Sequence, residues 1–403
     1  MSLTPVPVAL KALLDSVPGP TPAETLPLAL CAGRVLADDV AALRTQPPFA
    51  NSAMDGYAAR AVDLEPGKEL KVIGESAAGR GFPGSVGPGA TVRIFTGAPI
   101  PGGADAILIQ EHAEGVGGPV VRVTRPASKG QFIRPAGLDF QTGEILLKAG
   151  RRLDSAALGL AAAAGHPTLS VRRKPLFAIL ATGDELVRPG EPVGPDQIVA
   201  SNSFALAALI EQAGGTALDL GIARDNHPDL ASKIEAARKA GADVLVTLGG
   251  ASVGEHDLVQ AALKAQGMAL GFWKIAMRPG KPMMMGRLGA MVALGLPGNP
   301  VSSIVCGHLF AIPLVETLLG IADPERDRSE PAILASDLPA NDERQDYLRA
   351  TVETASGERR VQPFAKQDSS MLANLSRAEA LVIRPAFAEA ARAGDPCRII
   401  RLR

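Results

Sequence analysis

At 403 residues the chain is too long for one ordinary hydrophobic core and predicts two to four domains. Its 41 basic and 42 acidic residues leave a formal charge of −1, so no global field favours nucleic acid or an anionic membrane. Aromatic residues make up only 3%, too few to build the stacking platforms of a single-strand nucleic-acid binder.

Cys31, Cys306 and Cys397 are scattered and fit neither a disulfide framework nor a zinc spacing. The first residues show no secretory leader pattern, and the apolar runs at 156–165 and 309–321 are too short or interrupted to cross a bilayer. The expectation is a soluble cytoplasmic protein that works without membrane or nucleic-acid partners.

Residues 5–43 predict helix, with Val8, Leu10, Leu13 and Leu14 as one apolar stripe and residues 26–35 as another. From 44 to 134 the texture changes to short β segments, KVIGES, TVRIFTG, AILIQEH and VVRVTR, divided by Gly and Pro, which suit a small barrel or sandwich. Within it, residues 47–60 set Asn51, Ser52, Asp55 and Tyr57 among small residues after a double proline. Thr96 stands before a Gly–Pro turn. Ordinary hairpin chemistry explains both segments equally well. Residues 153–165 predict a helix capped by Asp154 and stopped by Gly165. If it packs on the first region, the β-rich segment between them is an insertion.

Residues 173–322 alternate in type. Strand-like LFAIL, LDLGI, DVLVTL, GFWKIAM and MVALG are mostly separated by expected helices at 202–212, 228–239, 257–266 and 301–319. That alternation predicts a parallel α/β sheet, in which the loops after the strands meet along one edge. The loops are TGDE (182–185), ARDN (223–226), GGASVGEHD (249–257), RPGKP (278–282) and LPGNP (296–300). Beyond 324, PAILASDL, DYLRATVET, ALVIRP and CRIIRLR predict a last β-rich domain. The whole reads as an α/β multidomain protein, with boundaries at 1–45 plus 135–172, 46–134, 173–322 and 323–403.

The loops carry the chemistry of a phosphorylated ligand with a metal. Gly249, Gly250 and Gly254 let the backbone approach a phosphate, and Ser252 can donate to it. Asp257 stands where a helix would start, placed either to hold Mg2+ or merely to cap. Asp184, Glu185 and Asp225 follow strands and suit a hydrated Mg2+, although loop acids are more often simply solvated. Arg278 and Lys281 lie three apart on a tight turn, suited to an oxyanion or to plain solvation. Pro297, Gly298, Asn299 and Pro300 make a constrained helix entry that presents Ser302 and Ser303. The five histidines show no ligand or triad spacing.

In this order, NSAMDGYA, RIFTGAPIPGGADA, IRPAGLDF, LATGDEL, GGASVGEHD, RPGKP and GLPGNPVS resemble the molybdopterin molybdenumtransferase family, which includes bacterial MoeA and the E domain of gephyrin. The likeness covers nearly the whole chain. It implies an L-shaped, four-domain subunit in a homodimer: an elongated helical and β linker domain, an inserted β-rich domain, a central MogA-like molybdopterin-binding domain and a C-terminal β-barrel-like domain. It implies Mg2+-dependent insertion of molybdate into adenylylated molybdopterin with release of AMP.

By motif, the resemblance makes Asp55, Thr96, Asp139, Asp257 and Lys274 catalytic, the first three reaching toward a partner's cleft. It puts Glu185, Asp225 and Asp257 beside the metal. It gives the substrate nucleotide Gly249, Gly250, Ser252, Gly254 and residues 297–300. Molybdate falls to Arg278, Lys281, Ser302, Arg349 and Ser369. Arg278 stands where the family commonly has Lys. Implied partners are the pterin adenylyltransferase upstream and the molybdoenzymes downstream. Two other readings follow from the same likeness: an idle dimeric scaffold, or an adenylyltransferase.

Overall fold

The computed structural model describes residues 3–249, 258–355 and 357–402. At its centre lies a six-stranded sheet in the order Thr216–Ala223, Leu176–Thr182, Val244–Leu248, Met291–Leu296, Met284–Leu288, Ala269–Trp273. The first four strands are parallel. All of Val244–Leu248 and Met291–Leu296 is buried, the continuous apolar signature of strands covered on both faces.

Side-chain alternation sorts the two covers. Phe177, Ile179, Val244 and Val246 pack with Leu206, Ile210, Phe310 and Leu314 of helices on one face. Ala178, Leu180 and Leu245 pack with Leu230, Ile234, Val259 and Leu263 on the other. Among the described residues, one helix, Pro300–Leu318, is long and apolar enough to span a bilayer, yet 78% of that span is buried in this core. A π-turn at Gly307–Ala311 precedes Pro313, which has no N–H to give the preceding turn.

Three expectations change. The stretch GFWKIAM is not a parallel strand: Ala269–Trp273 runs antiparallel to Met284–Leu288, and Met277–Arg278 leaves the sheet to pair with Gln345–Ala355. The RPGKP loop therefore ends a strand of another sheet. The second helical stripe is instead strand Ala23–Pro27, a 3-10 turn at Leu28–Leu30 and loop, because Pro27 and Gly33 (φ +72°) break a helix there. In helix Val6–Asp15 the buried stripe is Val6, Ala9, Leu13 and Leu14, whereas Val8 is 57% exposed. This helix joins the α/β core.

Strand Ala23–Pro27 pairs antiparallel with Thr168–Arg172. Residues 31–40 share a core with helix Ser155–Ala163, where the Asp154 carboxylate accepts from Ala157 N at 2.7 Å as expected. Between them in sequence lies a six-stranded sheet ordered Ala106–Ile109, Gly56–Ala59, Ala90–Ile94, Glu69–Ser76, Val120–Val123, Ala113–Glu114.

At the C-terminus Gln345–Ala355 pairs with both Glu358–Pro363 and Ala380–Arg384. Ser329–Leu334 and Pro396–Arg401 complete the ring, so the sheet closes into a five-stranded barrel. Strand Glu358–Pro363 and helix Leu372–Arg377 had no counterpart in the sequence reading.

A buried ion cluster ties the long helix to the barrel. Glu316 accepts from Arg326 at 2.8 and 3.1 Å and from Arg328 at 2.5 Å. Two turns earlier, burial and the Arg328 charge push His308 down from 6.5 to about 4. A histidine with a depressed folded pKa is protonated first in the unfolded chain, so stability is lost as pH falls from 6.5 toward 4. His308→Gln is expected to remove on the order of 2–3 kcal/mol of the drop in unfolding free energy between pH 7 and 4.5. Denaturant unfolding of both proteins at the two pH values checks this.

Candidate active site

A cleft of about 800 Å3 opens at the carboxyl ends of the parallel strands. Four loops build it. Strand Leu176–Thr182 runs into Gly183, Asp184 and Glu185, and Asp184 accepts from the backbone N–H of Asp225 at 3.2 Å. Asp225 follows strand Thr216–Ala223; partial burial, then the charges of Asp184 and Glu185, raise its pKa above the ordinary carboxylate value. Next in the chain, the Asn226 side chain accepts from Asp229 N at 3.0 Å and starts helix His227–Lys239.

Strand Val244–Leu248 ends at Gly249, whose φ is +99°. A Cβ there would stand 2.8 Å from Thr182 O, so only glycine fits against that strand end. Gly250, Ser252, Gly254 and Asp257 lie outside the described residues.

The fourth loop, Pro297, Gly298 and Asn299, opens helix Pro300–Leu318, and all three line the cleft with Lys281 and Pro282. Asn202 donates to Gly298 O at 2.6 Å and holds the turn against the neighbouring helix. The positive end of the helix dipole faces this edge, with Ser302 buried in its first turn. From the barrel, Ser369 reaches the same turn: its hydroxyl accepts from Asn299 at 3.1 Å and its carbonyl from Val301 N.

Arg349, on barrel strand Gln345–Ala355, is 0% exposed. Among the described residues none of its three guanidinium nitrogens has a hydrogen-bond partner. Its peptide is bracketed by Gln367, which accepts from Arg349 N at 3.0 Å and donates to Arg349 O at 2.9 Å. Burial lowers its pKa, with partial relief from Asp368, but a guanidinium keeps its proton at any physiological pH. Buried polar groups are normally paired, and a buried lone cation is costly.

Arg278 does not share this state. Its Nε and Nη2 donate to the two oxygens of Asp346 at 2.7 Å each, and Nη2 also to Asn341 at 3.0 Å. The fork expected to face an oxyanion is closed on the barrel. Lys274, on a left-handed backbone (φ +76°), donates its N–H to Met283 O and accepts from Thr4 N.

Asp55 and Thr96 stand together in the inserted sheet. The Asp55 carboxylate accepts from Thr96 N at 2.7 Å and Thr96 Oγ1 at 2.8 Å, bonds that hold its pKa below the ordinary value. Asp139 is exposed, its N–H donating to Gln46 O. None of the three lines the cleft. Sequence reasoning missed Asn202, Asp346 and Gln367. Asn202 carried a signal, a polar helix start after a strand; the other two act through partners distant in sequence.

A mostly parallel sheet with a cleft at the carboxyl ends of its strands, followed by a closed barrel, defines a multidomain α/β protein with a ligand site at the sheet edge. Residues 4–165 match the MoeA N-terminal region (domain I and II), 178–317 the probable molybdopterin binding domain, and 331–402 the MoeA C-terminal region (domain IV).

A molybdopterin molybdenumtransferase of Haemophilus influenzae is 38% identical over 308 residues, 76% of each chain. The enzyme of that name from Bacillus subtilis is 34% identical over 379 residues, 92% of this chain and 87% of the relative. A crystal structure of the molybdopterin biosynthesis MoeA protein from Pyrococcus horikoshii superposes with TM-score 0.84 at 29% identity, covering 99% of both chains. The chain belongs to the molybdopterin molybdenumtransferase family.

Proposed function

We propose that this protein inserts molybdenum from molybdate into adenylylated molybdopterin and releases AMP, the last step of molybdenum cofactor synthesis. The observation that carries the reading is Arg349, a buried guanidinium with no partner among the described residues. Asp368 offsets its charge only in part, its N–H donors have no acceptor among the described residues, and a tetrahedral dianion fits such a fork. Arg278, Lys281, Ser302 and Ser369 complete the proposed oxyanion pocket. The glycine-lined strand ends at Gly249 and residues 297–300, with Gly250, Ser252 and Gly254, receive the pterin phosphate and AMP.

Glu185 and Asp225, with Asp257, would hold Mg2+. Among the described residues no three His, Cys, Asp or Glu side chains form a ready metal cage. A hydrated ion gripped by few carboxylates needs none, and the Asp225 pKa, raised by burial and then by the charges of Asp184 and Glu185, would fall with a cation beside it. Mg2+ bound there supplies positive charge to the phosphoanhydride. Against that background the helix dipole and Lys281 stabilise the departing AMP, and a water cleaves the anhydride.

Asp55, Thr96, Asp139 and Lys274 are proposed as catalytic. Because the first three lie off the cleft of their own chain, the reading includes a homodimer in which they serve the partner's cleft. We place the enzyme in the cytoplasm, between the adenylyltransferase that supplies its substrate and the molybdoenzymes that take its product.

The test is AMP release by the purified protein given adenylylated molybdopterin, Mg2+ and micromolar molybdate. Release that depends on molybdate is expected. Release indifferent to molybdate, or none with substrate bound, overturns the reading.

A further inference from the structure

We propose that Arg93 is a positioning residue for Asp55 and Thr96: its guanidinium ties together the strand ends that carry them and so fixes where the Asp55 carboxylate stands. The inference deepens the reading of Asp55 as catalytic and rests on it.

Arg93 lies on strand Ala90–Ile94, directly across from Tyr57 of Gly56–Ala59. Its guanidinium stands over two aromatic rings, 4.9 Å from the centre of Tyr57 and 5.1 Å from that of Phe95. The Tyr57 ring is itself fixed, because it is buried and its hydroxyl accepts from Gly117 N at 3.0 Å. Held flat on these rings, Arg93 donates Nη2 to Gln110 Oε1 at 2.9 Å and makes a longer contact from Nη1 to Gly56 O at 3.4 Å. Gln110 in turn donates its N–H to Asp55 O at 3.2 Å. Both routes from the Arg93 fork therefore end on the backbone at Asp55 and Gly56.

The other end of Asp55 is fixed by the turn that follows Arg93. Gly97 N donates to Ser52 O at 2.8 Å and Ser52 N to Ala98 O at 3.0 Å, which fastens the Thr96 turn to the chain just before Asp55. A Cβ at Gly56 would collide with Leu108 O, so the backbone after Asp55 lies directly against the next strand. Thr96 thus holds the carboxylate and Arg93 holds the backbone that bears it. The two Thr96 hydrogen bonds keep the Asp55 carboxyl below its ordinary pKa, and the Arg93 charge adds to them. A lysine at this place could reach one acceptor; the planar fork reaches two while stacking on the rings. A reacting group displaced by an ångström loses up to roughly 100-fold in rate, so such a support acts on catalysis without touching substrate.

The test is AMP release from adenylylated molybdopterin in single turnovers, with enzyme in excess so that slow variants are still read. It compares the unaltered protein with Arg93→Met, Arg93→Lys, Asp55→Asn and the double variant Arg93→Met with Asp55→Asn. Methionine keeps an apolar stem over the rings and removes the fork. Arg93→Met is expected to lower the maximal rate by about tenfold, with the half-saturating concentration unchanged, and Arg93→Lys to recover part of the loss. Added to Asp55→Asn, it is expected to cost nothing further, because its target is already gone. The same tenfold loss in both backgrounds would show Arg93 working independently of Asp55. A raised half-saturating concentration at full rate would make it a substrate contact, and a lower melting temperature at full rate a structural strut. Each of these three overturns the proposal. Should Arg93→Met fail to fold, Arg93→Lys takes its place in the cycle: a loss confined to proteins with Asp55 supports the proposal, and an equal loss without Asp55, or no loss, overturns it. Failure of the underlying reading is seen separately, as Asp55→Asn with full activity or an unaltered protein that releases no AMP, and the proposal would fall with it.

Discussion

Arg349→Gln is expected to weaken molybdate binding by about 100-fold or more while leaving the molybdate-free protein as stable as before, or more so. Each half of the result has its own cause. Charge-assisted hydrogen bonds contribute roughly 1.5–3 kcal/mol each, so two from one fork to a dianion give two or more powers of ten. In the absence of the anion, the same guanidinium is a fully buried charge with no acceptor among the described residues. Removing a buried charge that has no hydrogen-bond acceptor and only partial relief from Asp368 lifts much of a desolvation penalty of roughly several kcal/mol. The neutral amide of glutamine keeps much of the volume. An arginine kept only for packing or stability would give the opposite pattern, a lower melting temperature with unchanged affinity. Calorimetric titration and melting curves with and without molybdate separate the two.

The second large effect concerns where the active site is completed. Asp55→Ala and Arg349→Gln are each expected to be nearly inactive alone, yet to regain activity when their subunits are mixed. Asp55 and its partner Thr96 belong to the inserted sheet and do not line the cleft of their own chain. If two copies exchange these elements, a mixed dimer has one site with both defects and one with neither. Random mixing of equal amounts makes half the dimers mixed, so about one quarter of full activity should return. Measuring AMP release before and after subunit exchange gives the answer. No recovery would mean that Asp55 acts within its own chain or not at all.

Much of the fold could be read in advance because local patterns decide it. Ser155–Ala163 was visible in its Asp154 cap, and Val244–Leu248 in an apolar run between turn residues. The stretch at 26–35 misled because its leucines recur at helical spacing, while Pro27 and the left-handed Gly33 forbid the helix. Strand Glu358–Pro363 escaped because its charged residues face solvent and only Val361 and Pro363 are buried.

The site was legible in its loops and opaque in its joints. Glycine at 249 and the proline-bounded turn at 297–300 stand out in the sequence as turns after apolar strands, and both line the cleft. The Arg278 pairing with Asp346 spans 68 residues, and no local pattern announces it. Nor does a basic residue in the strand DYLRATVET betray that its guanidinium is wholly buried. That depends on the barrel closing and on Gln367 bracketing the same peptide.

Anomalous diffraction from crystals soaked in molybdate tests the central claim most directly. The account predicts a molybdenum peak beside Arg349, with oxygens within about 3.2 Å of its guanidinium. No peak near Arg349 would contradict it.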